Sequence, residues 1–105
     1  MSNLPTSDSL RELQAYIWQI NKERGFNIED PSKKQVMLME EVGELAKATR
    51  QAVGMKFTDT TKHTELAEEL ADVQIVLLSI ASIFKIDMTD AVIAKETKNR
   101  QRTWK

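Results

Sequence analysis

The chain has 105 residues, 41% of them apolar and 30% charged, and its 15 Lys and Arg against 16 Asp and Glu leave a formal net charge of −1. That length suits a single domain over residues 1–105, and the charge balance excludes any global attraction to nucleic acid or to an anionic membrane. The absence of cysteine excludes disulfides, thiolate metal sites and cysteine nucleophiles together.

No apolar leader opens the sequence. The longest apolar-rich run, Val73 to Phe84, holds Gln74, Ser79 and Ser82 and is too short to cross a bilayer, so a cytoplasmic location is expected. Three Gly and two Pro give little punctuation and β-branched alternation is missing, which predicts an all-α fold. Pro5, Thr6 and Ser7 lead into a first helix whose capping box is Ser9 and Glu12. Its apolar stripe is Leu10, Leu13, Ile17 and Ile20, and it stops near Gly25. Phe26 to Pro31 reads as a loop. Ser32 and Gln35 then offer a second capping box, opening a helix that runs to about Gly54.

A further loop leads to a third helix, capped by Thr60 or Thr61, with Leu66, Leu70, Val73, Leu77, Ile80 and Phe84 as its stripe. Ile75, Val76, Leu78 and Ile83 make its second half apolar nearly all round. In so short a chain, part of the cover for such a helix is expected from a second copy. Asp87 and Asp90 start a fourth helix that runs to about Arg102.

Two carboxylate pairs stand out: Glu41 with Glu44, and Glu69 with Asp72. Residues three apart on a helix project side by side, so each pair forms one wall that can grip an oxygen-seeking cation. At about 100° per residue, both pairs fall on the same-handed flank of their apolar stripes, bordering the buried face. Glu40 points to the outer side. A single such pair is ordinary on a helix surface; two on matching flanks of neighbouring helices concentrate four negative charges, and a bound cation resolves that repulsion. Oxygen ligands without His or Cys select Mg²⁺, with Mn²⁺ as a substitute, over zinc. The lone His63 lies outside both pairs and has no expected role.

On the fourth helix, Lys95, Asn99 and Arg102 share one face, two cations around an amide, a set suited to phosphate oxygens. Trp18, off the stripe of the first helix, and Trp104, beyond the basic run, are candidates either to stack on a base or to pack edge-on against a neighbouring helix. Gly43 sits inside the second helix, where it costs about 1 kcal/mol relative to Ala; a close approach by another helix or by substrate would account for it, and simple tolerance is the alternative.

These residues resemble the all-α nucleoside triphosphate pyrophosphohydrolases of the MazG-like superfamily. The family pattern of EExxE followed by ExxD stands here as Glu40-Glu41-Val42-Gly43-Glu44 and Glu69-Leu70-Ala71-Asp72. The ending AKETKNRQRTW is similar to the family's tail, and NKERGF to the end of its first helix. The resemblance implies a four-helix protomer whose bundle is completed by homo-oligomerisation, as a dimer or tetramer. It implies hydrolysis of the α–β phosphoanhydride of a (d)NTP to the monophosphate and pyrophosphate, with Glu41, Glu44, Glu69 and Asp72 as Mg²⁺ ligands and catalytic centre. Lys95, Asn99 and Arg102 would bind the substrate. In the expected mechanism, a carboxylate not fully engaged in ligation takes the proton of a water attacking in line, and Lys95 and Arg102 offset charge on the leaving pyrophosphate. The second helix ends in Arg50-Gln51-Ala52-Val53 without an aromatic, which leaves Trp18 and Phe26 as the candidates for the base. Two rival readings remain: the related phosphoribosyl-ATP pyrophosphatase, and a non-catalytic helical dimerisation or nucleotide-binding module.

Overall fold

The computed structural model describes residues 8–26, 30–54 and 60–102, and its elements are four helices: α1 (Leu10–Glu23), α2 (Pro31–Ala52), α3 (Thr60–Ile83) and α4 (Met88–Arg100). Among the described residues no strand occurs and no helix is long and apolar enough to cross a membrane. α3 is the central element. α2 packs along it most extensively, α1 covers a second side, and α4 folds back onto α1.

Local chemistry explains where the helices begin. Ser9 caps α1 as expected, its hydroxyl accepting from the Glu12 N–H. α2 starts two residues earlier than the Ser32 capping box would place it. Asp30 is the cap, its carboxylate accepting from the Ser32 N–H at 2.8 Å, and Pro31 takes the first helical position. Proline has no N–H to lose there and its φ is already helical, so the Asp-Pro pair outcompetes the serine. Thr60 is the first residue of α3, and whatever caps it lies outside the described residues. Asp87 caps α4 by accepting from the Asp90 N–H.

The core holds Ile17 and Ile20 from α1 with Val76, Leu78 and Ala81 from α3. This corrects the expected stripe of α3: Leu70 is 53% exposed and Phe84 58%, while Val76 and Leu78 from the flanks are buried. The reason is that α1 and α2 dock on different sides of α3, so no single stripe describes its burial. Leu13, also assigned to the core, stays partly open beside α3.

Gln14 stitches three elements together. Its Nε2 donates to the Ser82 hydroxyl and to the Ile86 carbonyl, and its Oε1 accepts from the Met88 N–H. Arg11 reinforces the same corner by donating to Asp87 at 2.8 Å and Asp90 at 2.7 Å. The Asp87 carboxyl is lowered from its ordinary value, first by the Asp90 N–H and then by Arg11. Its folded form therefore prefers the charged state, and this contribution is present at neutral pH and lost as pH falls through the lowered value.

The α3–α4 turn closes on Lys85 at φ 57°, with the Ile86 N–H bonded to Ala81 O and the Lys85 N–H to Ser82 O. This is the helix ending that favours glycine in the left-handed position. Lys85→Gly is expected to raise stability by about 0.5–1 kcal/mol, net of the entropy glycine adds to the unfolded chain, as read by urea denaturation.

Candidate metal and phosphate site

α2 and α3 lie side by side, and that packing brings Glu41 across to the Glu69–Asp72 pair. One oxygen of each of these three carboxylates lies within 4.8 Å of the others. Glu41 and Glu69 are half-buried and Asp72 is exposed, so the group sits at the rim of the helix interface rather than inside it. Its repulsion is visible in Glu69, whose pKa is raised by partial desolvation first, then by Asp72, Glu41 and Glu44 in turn. Three hard oxygen donors converging from two helices, with one of them resisting ionisation, fit a divalent cation such as Mg²⁺ or Mn²⁺.

Glu44 stands apart from this trio. It lines the adjoining groove, of about 190 Å³, with Lys47, Gln51, Glu65 and Glu69. Its charge still reaches Glu69, but the structure gathers three of the four expected carboxylates at one point and leaves the fourth beside it. Glu40 is exposed, as its outward direction predicted, and His63 is exposed in the first turns of α3.

The basic face of α4 is a separate feature. Lys95 and Asn99 line a shallow groove with Met88, Val92 and Glu96, all from α4. The Asn99 amide donates to Glu96 at 3.4 Å, and the Arg102 N–H bonds to the Asn99 carbonyl just past the helix end. α4 packs on α1, and its groove shares no lining residue with the acidic trio. Trp18 lines a groove at the α3–α4 corner with Arg11, Lys85 and Asp87, again away from the trio. Phe26 is 43% exposed with the Lys34 Nζ 5.6 Å from its ring centroid. Trp104 lies outside the described residues.

A Cβ built on Gly43 meets nothing within 4 Å, which corrects the expected close approach by a helix of the same chain. Gly43→Ala is therefore expected to stabilise the chain by about 1 kcal/mol in chemical denaturation, the helix-propensity difference. A destabilised variant would mean that a second copy fills that space.

A cavity of about 360 Å³ between α1 and α3, which no sequence motif marks, is lined by Tyr16, Asn21, Arg24, Ala71, Gln74 and Ile75 among others. Its one visible signal was Asn21, a polar residue on the apolar side of α1. It is 7% exposed, and its amide donates to Ser79.

The family model described as the MazG nucleotide pyrophosphohydrolase domain matches residues 30–104, from the cap of α2 to beyond α4. The chain is 33% identical over 93 residues to a dATP/dGTP diphosphohydrolase of Cyanophage S-2L, covering 89% of this chain and 71% of that protein. It is 30% identical over 106 residues to dCTP pyrophosphatase 1 of Bos taurus and 33% over 103 residues to that of Mus musculus. These alignments take in 96% and 93% of this chain but only 61% and 59% of the mammalian proteins.

Proposed function

This chain belongs to the MazG nucleotide pyrophosphohydrolase domain family, and on that premise we propose that it cleaves the α–β phosphoanhydride of (d)NTPs to release the monophosphate and pyrophosphate. The observation that carries the reading is the convergence of Glu41, Glu69 and Asp72 within 4.8 Å on two helices. Removal of harmful nucleotides from the pool is a role that fits this reaction.

Glu41, Glu69 and Asp72 would hold the cation, with Glu44 on the adjoining turn of α2. Mg²⁺, or Mn²⁺ in its place, would supply charge neutralisation for the phosphate oxygens and lower the pKa of a water. Glu44, exposed and outside the trio, is the carboxylate with capacity to accept the proton of the attacking water. Water adds at phosphorus, the bridging P–O bond breaks, and pyrophosphate leaves with its charge offset by Lys95 and Arg102, with Asn99 holding a phosphate oxygen.

A homodimer or tetramer is part of this proposal. Val36, Met39 and Val42 on α2 and Leu70 and Leu77 on α3 are exposed in the single chain, and a second copy is the partner that would cover them. Assembly is also a route by which the basic face of α4 meets an acidic trio.

The test is incubation with each common NTP and dNTP plus Mg²⁺, with pyrophosphate resolved from orthophosphate. Pyrophosphate and monophosphate are expected. Orthophosphate alone would refute the bond assignment, and no turnover of any free nucleotide would refute the substrate class.

A further inference from the structure

We propose that Asn21, held in place by Ser79, reads the base of the nucleotide substrate from inside the cavity between α1 and α3. This rests on the proposed nucleotide hydrolysis and adds to it the residue that selects among bases.

The cavity has the right place. Ala71 on its wall immediately precedes Asp72, and Ile75 lies one turn beyond that carboxylate. A nucleotide whose phosphates reach the acidic trio therefore has its base, one sugar away, at the mouth of this cavity. It also has the right size and walls. About 360 Å³ lies within the range of small-molecule sites, and Tyr16, Ile17, Ile20 and Leu78 give the apolar surfaces that a flat heterocycle needs on its faces. Few polar groups line it: the amides of Asn21 and Gln74, with Arg24 towards the C-terminal end of α1.

Asn21 is the group whose orientation is settled. The Ser79 hydroxyl donates its hydrogen to the Ile75 carbonyl at 2.9 Å, so towards Asn21 it can only accept. Asn21 therefore turns its Nδ2 to Ser79, at 2.9 Å, and cannot flip without losing that bond. One N–H is spent on Ser79, which leaves the amide a second N–H and its Oδ1 acceptor. A base edge that carries both a donor and an acceptor is the complement of that pair, and the depth of the cavity then decides which base brings such an edge into register. Ser79 is a positioning residue: it touches no substrate and acts by orienting the amide. A buried amide left unpaired by the wrong base discriminates more strongly than an apolar wall can.

The experiment measures kcat/KM for pyrophosphate release from the four dNTPs with the wild type, Asn21→Leu, Ser79→Ala and Gln74→Ala, alongside thermal melts and solution mass. The wild type is expected to prefer one base by at least about tenfold. Asn21→Leu should reduce that preference about tenfold or more by losing rate on the preferred base, with Ser79→Ala doing so in part. Gln74 is exposed on the opposite wall, and its variant keeps the test readable if Asn21→Leu fails to fold. Unchanged base ratios in the folded variants overturn the proposal. So does a wild type that turns over all bases alike, and so does a change of solution mass without a change of ratios, which would assign the cavity to a second copy. Absence of turnover on every nucleotide is a different failure, that of the hydrolase reading itself.

Discussion

Glu69→Gln is expected to make the metal-free chain more stable at neutral pH while removing its metal-dependent turnover. Glu69 has a folded pKa above the ordinary 4.5, because partial desolvation and the neighbouring Asp72, Glu41 and Glu44 all oppose its charge. The folded chain thus binds the proton more tightly than the unfolded chain does. Ionised Glu69 works against folding above its raised value, and that cost fades as pH falls towards 4.5. The amide keeps the shape and drops the charge. Thermal melts in EDTA should show the variant above wild type at pH 7.5, the two converging as pH approaches the unfolded value. Added Mg²⁺ should raise the wild-type melting temperature and leave the variant nearly unmoved. Turnover should fall by at least about 10²-fold, the scale of losing one preorganised electrostatic group. A variant that is less stable than wild type without metal would mean that the trio is held by interactions other than a cation.

Leu78→Ala should have the largest effect on stability. Leu78 has no exposed surface, and it lies on α3 where α1 docks and at the wall of the α1–α3 cavity. Truncation removes its transfer free energy and enlarges a cavity that is already present, at a cost of about 2–5 kcal/mol. Against a total stability of roughly 5–15 kcal/mol this is severe, and urea denaturation should show a much lower midpoint. Leu70→Ala, at a residue 53% exposed in the single chain, is the matched comparison. A small cost there, independent of protein concentration, would argue against the second copy.

The helices were legible because their signals are local. Ser9 with Glu12, and Asp87 with Asp90, mark ends that the chain's own hydrogen bonds then realise. The carboxylates of α3 were legible for the same reason, since spacing along one helix decides which residues neighbour each other. What the sequence withheld depends on how helices dock. Nothing local says that α1 and α2 take different sides of α3, and so the buried set is Val76, Leu78 and Ala81 rather than the stripe through Leu70 and Phe84. The same docking decides which carboxylate of α2 reaches the Glu69–Asp72 pair, and creates the cavity at Asn21. The start of α2 was missed for another reason: Asp30 and Pro31 act together, and a search for serine capping boxes passes over them.

In the proposed reaction the converging carboxylates hold the cation that drives anhydride cleavage. The most direct test compares pyrophosphate release from a dNTP by the wild type and by Asp72→Asn, each with Mg²⁺ and with EDTA. Asp72 is exposed, so its amide should leave the fold intact, as circular dichroism can verify. Pyrophosphate from the wild type with Mg²⁺, and from none of the other three mixtures, is the result expected. Equal release by the folded Asp72→Asn variant, or release that persists in EDTA, would contradict the account.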